Sequence, residues 1–355
     1  MRVVSRLPIQ LSFAQSQMFS KFLSIYLFQV IRVWNHLPAF CRRTSAGHIY
    51  GRHVHQLVRL QSQRNQYFGT FFFRNRAELS LMCHLLDSKP HGAKLDISVL
   101  ACSKGAEVYS IMWAIRSARP DLNLNMRAVD ISQEILDFAK KGVYSCVGLD
   151  ESNALCNGVC EDRKNIIRNT CRDQNAPIFA RMSEEELKTI CDVKGDEASI
   201  KPELREGIVW LAGDANDPAL IRILGPQDIV VANRFLCHMD PAVAEKCLRS
   251  FVRLVKPGGY LFVSGIDLDV RTRVARSLGW KPVKEMMREL HEGDASLTQG
   301  WPLNYWGLEP FCTGRPDRDI RYASVFQIPR PVELVSSSEG ERHLQGSPLF
   351  RAIQQ

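Results

Sequence analysis

A short loop carries the first arrangement of residues suited to chemistry. Leu95-Asp-Ile-Ser-Val-Leu100 reads as a buried strand; Ala101-Cys102-Ser103-Lys104-Gly105 follows, then a helix with Val108, Ile111, Met112 and Ile115 on one face. In an open α/β sheet, ligands sit beyond the carboxyl ends of the strands, where the strand order reverses. Gly105 would let the backbone approach such a ligand, and the unpaired N–H groups of the helix start would face it. Glu107 falls in that first turn. Asp130 ends a second expected strand, Leu124 to Val129, 25 residues after Gly105, where an acid typically holds ribose hydroxyls. The chain lacks G-x-G-x-x-G, so a pyrophosphate has no glycine cradle and dinucleotides are disfavoured. A nucleoside without phosphates, bound through its ribose and carrying a charged tail, fits the pattern. Asp130 alone would read as a helix cap; its order with Gly105 and Glu107 favours the ligand.

The elements around these residues alternate. Ser132 caps a helix with Glu134 in its first turn, Lys140 and Lys141 in its last, and Gly142 just beyond. Ile229-Val-Val-Ala232 is a buried type of strand, Asp240-Pro241 starts a helix expected to run to Val255, and Lys256-Pro257-Gly258-Gly259 turns into a strand from Tyr260 to Val263. The expectation is a doubly wound, mostly parallel α/β sheet with helices on both faces and right-handed crossovers. Residues 12–66 read as helical, with Phe19, Phe22, Leu23, Tyr26, Val30 and Val33 at helical spacing and a break at Pro38. A polar insertion spans about 146–181. Its Cys146, Cys156, Cys160 and Cys171 have 9, 3 and 10 intervening residues, poor spacing for zinc, so no metal is expected. Ser183 with Glu186 is a capping box that restarts a helix. The expected organisation is a basic helical domain over 1–66, an α/β domain over 67–330 and a disordered tail over 331–355.

Charge is uneven. The chain of 355 residues has a net charge of +8, yet nine basic side chains and no acid precede residue 67, which leaves 37 basic against 38 acidic groups beyond it. A composition of 45% hydrophobic and 24% charged residues excludes a wholly disordered or fibrous chain. Eleven scattered cysteines favour a reducing compartment. No apolar run is long enough to span a bilayer, and Pro8 and Gln10 interrupt any secretory signal. A cytoplasmic protein is expected, with a mitochondrial presequence as the alternative suggested by the acid-free front. No nucleic-acid recognition motif accompanies the basic segment.

Gly69-Thr-Phe-Phe-Phe-Arg74-Asn, ACSKGAEVYS (101–110), AVDIS (128–132), AKKGVYS (139–145), the segment 182–211 and LVKPGGYLF (254–262) together resemble the CheR-type chemotaxis receptor methyltransferases. These are S-adenosylmethionine-dependent protein-glutamate O-methyltransferases, and the resemblance covers about residues 48–265. It implies a Rossmann-like class I methyltransferase sheet behind an N-terminal helical domain, with S-adenosylmethionine as cofactor and S-adenosylhomocysteine as product. Thr70 and Arg74 match the family's threonine and arginine in the cofactor and acceptor region. Glu107 matches the second of its paired glutamates, and Asp130 its ribose-binding aspartate, with Ile131 next to it. Asp214 and Ala215 stand where an Asn-Leu pair lies near the adenine; Asn233 and Arg234 stand where an Arg-Asn pair follows the fourth strand. The loop Ala101 to Gly105 completes the expected cofactor contacts.

The sequence departs from that pattern in places. Ala101 replaces the usual first glycine, Ala106 the first glutamate, Phe68 a common asparagine, and His238 a tyrosine facing the sulfonium. After Gly265 the usual His-Ser-Glu-Ser gives way to Asp267-Leu-Asp269, and WPLNYWGLEP (301–310) follows later. Methyl transfer to a carboxylate needs no strong base, because glutamate is ionised at neutral pH. Alignment and exclusion of water do the work, with Arg74 orienting the reactants and His238 available as a proton acceptor for a hydroxyl or amine. Two rivals stand beside the glutamate reading: the same fold acting on another acceptor, and a module that binds cofactor or product without catalysis. Phe71, Phe72 and Phe73 read as core and cofactor wall. The basic front would attract an acidic helical protein substrate and steer its encounter with a monomeric enzyme. Reversing Arg52, Arg59 and Arg64 should therefore slow modification of a protein substrate and relax its salt dependence; unchanged rates would return them to a solvated face.

Overall fold

The structure, a computed structural model, describes residues 13–62, 64, 67–146, 178–298 and 300–329. The expected insertion cysteines Cys156, Cys160 and Cys171 and the expected tail 331–355 lie outside the described residues. The chain divides into two units, one of Met1–Arg64 with Ser296–Pro310 and one of Asn65–Ala295 with Phe311–Gln355. The segment 296–310, grouped by sequence with the α/β domain, thus belongs to the first unit.

In the first unit, α1 (Phe13–His36), α2 (Ala39–Arg42) and α3 (Ser45–Gln61) are separated by the break expected at Pro38. Thr44 caps α3 by accepting from the Gly47 N–H at 3.1 Å. Val30 and Trp34 of α1 pack on Val54, Leu57 and Val58 of α3 and on Trp301. The inward face of α1 is therefore Leu23, Leu27, Val30, Ile31 and Trp34, while Phe22, Tyr26 and Val33, named with Leu23 and Val30 for their helical spacing, are exposed. Helical spacing could not choose between the faces because α1 is apolar nearly all round.

In the second unit, β1 (Lys94–Leu100) is buried from Leu95 onward, as a central parallel strand must be. It pairs in parallel with β2 (Asn123–Asp130) on one side and β7 (Gln227–Val231) on the other. The remaining strands of this seven-stranded sheet are β6 (Ile208–Ala212), β8 (Val255–Phe262), β9 (Lys281–Pro282) and β10 (Val325–Gln327), in the order β6-β2-β1-β7-β8-β10-β9. Only β10 runs against the others. This is the expected doubly wound, mostly parallel sheet, and its order reverses between β1 and β7. The helix beginning at Pro241 ends at Ser250, short of the expected Val255, because β8 already starts there. The Lys256-Pro257-Gly258-Gly259 turn is absorbed into β8 as a register shift against β7 between Gln227 and Ile229. A second, antiparallel sheet of β3 (Val143–Ser145), β5 (Glu197–Ile200) and β4 (Cys191–Lys194) was not anticipated. The capping box of Ser183 and Glu186 is present on the helix Glu184–Ile190.

Three helices set the site. These are α4 (Arg76–Leu85), α5 (Ala106–Ala118) and α6 (Gln133–Lys141), the last capped by Ser132 and closed by left-handed Gly142 as expected. Phe71, Phe72 and Phe73 are buried; Phe72 stacks on Phe179 and Phe73 lies against Trp113.

The turn from β1 into α5 is tight. Ala101, Ser103 and Gly105 have φ of 53°, 52° and 83°. A Cβ on Gly105 would meet Ala139 and Trp210 at 3.1 Å, so glycine is needed there for conformation and for packing on α6 and β6. Ala101 holds a left-handed conformation that a glycine would take without strain. Gly105→Ala should lower stability by at least about 1 kcal/mol, whereas Ala101→Gly should raise it by about 0.5–1 kcal/mol, both read by thermal denaturation. Both signs reversed, with Gly105→Ala stabilising and Ala101→Gly destabilising, would show that the turn relaxes freely.

Candidate functional site

The carboxyl ends of β1, β2 and β7 meet beside the switch in strand order. At the end of β2, Asp130 is 3% exposed and folds the loop 101–105 over itself. Its Oδ2 accepts from the Ser103 N–H at 2.8 Å and its Oδ1 from the Ser132 N–H at 3.1 Å. Each oxygen keeps a further lone pair for a hydroxyl donor. Burial pushes the Asp130 carboxyl above its ordinary range, against the pull of those N–H groups. Ile131, immediately beyond, is 57% exposed although apolar.

Asn233, just past β7, joins two acids. Its Oδ1 accepts from the Ser264 N–H at 2.9 Å and from Ser264 Oγ at 2.8 Å. A backbone N–H can only donate, so the amide oxygen must face Ser264 and the NH2 must face the other way. There Nδ2 donates to Glu78 Oε1 at 2.5 Å and to Glu107 Oε1 at 2.9 Å. Glu78 comes from the first turn of α4 and Glu107 from the first turn of α5. Among the described residues, no group donates to the second oxygen of either carboxyl. Burial, then the nearby Glu107 charge, raise Glu78 to about 8, with Asn233 opposing. Burial also raises Glu107, which Arg74 and Asn233 oppose.

Arg74 precedes α4 in a turn tied down from three sides. The Phe73 N–H donates to Ser110 Oγ at 3.1 Å, the Phe72 N–H to the Ile178 carbonyl at 3.1 Å, and Arg181 to the Arg74 carbonyl at 2.7 Å. The Arg74 guanidinium donates to the Gly69 carbonyl at 2.9 Å and lies over Phe71. No carboxylate among the described residues lies within 4 Å of it. Its pKa is lowered, first by burial and next by Arg234. Asp294 takes the other two cations of the site, Arg181 at 3.1 Å and Arg234 at 3.0 Å. Arg234 has a φ of 64°, and Gly265 lies so close that a Cβ on it would come within 2.7 Å of the Arg234 Cα.

The other expected residues lie around this core. Thr70 is buried in the Arg74 turn. Asp214 follows β6, exposed, with its Oδ1 accepting from the Asn216 N–H at 2.8 Å; the carbonyl of buried Ala215 accepts from Cys247 Sγ. His238 ends the 3-10 turn Leu236–His238, its ring 6.4 Å from that of Tyr67. Ala106 is buried in the cluster of Phe72, Tyr109 and Tyr144, so this position faces the core. Sequence reasoning missed Glu78, Arg181, Ser264 and Asp294. Asn75 and Glu78 spell a helix-capping pair, and Asn75 does accept from the Glu78 N–H at 3.3 Å. The Glu78 carboxyl, however, reaches Asn233. Among the described residues, no group of three or more His, Cys, Asp or Glu could hold a metal ion.

Residues 69–158 match the family model described as CheR methyltransferase, SAM binding domain. The chain is similar, at 24% identity over 202 residues, to chemotaxis protein methyltransferase 2 of Vibrio cholerae, covering 55% of this chain and 60% of that protein. It is 24% identical over 199 residues to the probable biofilm formation methyltransferase WspC of Pseudomonas aeruginosa, covering 55% of this chain and 40% of the relative. A 28% identity over 183 residues links it to chemotaxis protein methyltransferase Cher2 of Pseudomonas putida, over 50% and 55% of the two chains. The chain thus spans about half the length of the curated relatives it matches. The resemblance read from the motifs stands, and the cofactor is S-adenosylmethionine. The donor set fits it: an arginine lacking a carboxylate and two carboxyls lacking a cation suit the carboxylate and ammonium of an amino-acid tail.

The raised Glu78 carboxyl makes stability fall with pH. Between the ordinary carboxylate pKa and about 8, the folded state holds a proton that the unfolded state has lost, so stability declines as pH rises through that window and levels off above it. Glu78→Gln removes this contribution. The stability of the cofactor-free variant relative to wild type, read by thermal denaturation, should climb from pH 5 to pH 8 by about 3 kcal/mol. A gap independent of pH would place the proton on another group.

Proposed function

We propose that this protein is an S-adenosylmethionine-dependent methyltransferase whose acceptor is a glutamate carboxylate of a chemoreceptor-like protein. The observation that carries the reading is the split charge of the site: among the described residues, Arg74 has no carboxylate partner, and Glu78 and Glu107 have no cation. When bound, the cofactor supplies a methyl group on a positively charged sulfur. Arg74 would hold the carboxylate of the cofactor's tail or of the acceptor; Glu107 would take the ammonium. Asp130 would accept from the ribose hydroxyls through its remaining lone pairs, and exposed Ile131 would lie under the adenine. Asp214 and Ala215 would edge the base, with Thr70, Ala101 and Gly105 lining the turn beneath the cofactor.

Asn233, held by Ser264, keeps Glu107 in place, and Asp294 anchors Arg234 and Arg181. A carboxylate acceptor arrives already ionised, so the residues need only align it and exclude water. His238 would line the acceptor side as a hydrogen-bonding group. The relatives' names as chemotaxis methyltransferases support this acceptor. Ala101 adopts the glycine-like conformation and Ala106 faces the core, so neither departure argues for a module without catalysis. Among the described residues, no helix is long and apolar enough to cross a membrane. A cytoplasmic monomer meeting an acidic helical substrate through its basic first segment completes the proposal.

Labelled methyl transfer from S-adenosylmethionine to receptor fragments tests it. The label should enter glutamate and leave as methanol on treatment with base. Base-stable label would transfer the function to an amine or ether-forming acceptor. Arg74→Ala should weaken S-adenosylhomocysteine binding or methyl transfer roughly 10- to 100-fold, the worth of one charge-assisted hydrogen bond. Full transfer at saturating cofactor with unchanged affinity would remove Arg74 from the machinery.

A further inference from the structure

Glu78 was not among the residues matched to the family pattern in the sequence, yet among the described residues it shares with Glu107 an amide group that reaches both acids. Glu78 Oε1 and Glu107 Oε1 are 2.5 Å and 2.9 Å from Asn233 Nδ2. The remaining oxygens have no donor among the described residues, and Glu78 is 6% exposed. Two carboxylates this close, with a single neutral donor between them, repel each other in a poorly hydrated site. Their surroundings are mixed. Arg74, ahead of α4, and Arg234, past β7, favour the charged forms; Asp294 opposes them. The arginines do not close an ion pair with either acid. Two remedies are open to such a pair: a proton or a cation.

We infer that Glu78 and Glu107 form one receptor for the ammonium group of the cofactor's amino-acid tail, and that the pair holds a proton which leaves when the ammonium arrives. The inference rests on the cofactor reading above and adds to it a binding residue and a proton. In the exchange, the carboxyl O–H bond breaks and the proton passes to solvent. The carboxylate left behind accepts from the ammonium N–H groups. One positive charge enters and one leaves, so the net charge of the buried cluster is unchanged. The proton belongs to the pair rather than to either residue. Burial, and then the Glu107 charge, raise the Glu78 pKa to about 8, which agrees with the geometry, since the proton is retained at neutral pH.

This device makes cofactor affinity depend on pH in a defined direction. Below the pH at which the pair ionises, each ligand must displace a proton, so affinity rises about tenfold per pH unit and levels off near pH 8. The test is titration calorimetry of the full chain with S-adenosylhomocysteine at pH 6.5, in phosphate and in Tris. At that pH an α-amino group is already protonated, so the ligand contributes no proton of its own. The difference in heat between buffers should report close to one proton released per ligand bound. 5′-Methylthioadenosine, which has the nucleoside but no amino-acid tail, should release none. Glu78→Gln should bind S-adenosylhomocysteine without the release and with a flat pH profile.

Tight binding of S-adenosylhomocysteine to the wild type with no proton released would overturn the inference and leave the cofactor reading intact. Equal release with 5′-methylthioadenosine would also overturn it, by tracing the proton to the nucleoside side. Binding of neither ligand would overturn the cofactor reading itself. The wild-type comparison of the two ligands decides the matter even if the Gln variant does not fold.

Discussion

The arrangement of the site depends on the orientation of one buried amide. Asn233 must present its oxygen to the Ser264 N–H, because that group can only donate. The NH2 is thereby turned toward α4 and α5, where it draws the Glu78 and Glu107 carboxyls to within hydrogen-bond reach of a single nitrogen. Reversing the amide would set its oxygen against two carboxyls and leave the Ser264 N–H facing another donor. Three segments that meet only in the folded state are thus locked together: the helix after the Arg74 turn, the helix after β1, and the chain leaving β7.

Around that amide the charges are sorted rather than paired off. Asp294 takes Arg181 and Arg234, while Arg74 stays on the carbonyl of Gly69 and the face of Phe71. The two glutamates keep bare oxygens on their side. A protein that only needed to neutralise these groups would bring Arg74 onto a glutamate. Holding them apart costs desolvation that no ion pair among the described residues offsets. The separation matches a zwitterion, whose ammonium and carboxylate would complete both halves at once. The turn that carries Arg74 is anchored through Ser110, Ile178 and Arg181, so the separation is built into the backbone.

Much of the frame was legible in the sequence. β1, β2 and the α6 caps at Ser132 and Gly142 lie within a residue or so of their expected bounds, since each is signalled by neighbours in the chain. The short sheet of β3, β5 and β4 was hidden because its strands are only three or four residues long, too brief for the alternation in Cys-Asp-Val-Lys and Glu-Ala-Ser-Ile to stand out as a period. The helix from Pro241 stopped early because pairing of β8 with β7 claimed Val255. In the site, Asp130 was readable from its place after a strand and before a cap. Glu78 was not, since Asn75 and Glu78 have the spacing of an ordinary helix cap and nothing local tells which way the carboxyl turns.

The sequence by itself determined the alternation of strands and helices, the loop at the end of β1, the acid at the end of β2 and the concentration of positive charge before residue 67. These follow from periodicity, capping and composition, all of which act within a few residues. Tertiary structure alone decided which face of α1 is buried, that residues 296–310 join the first unit, and that Glu78 meets Asn233 across 155 positions and Glu107 meets it across 126. The reason is physical: a carboxyl's proton and partner depend on what burial removes and what distant segments bring near. Both are properties of the packed chain.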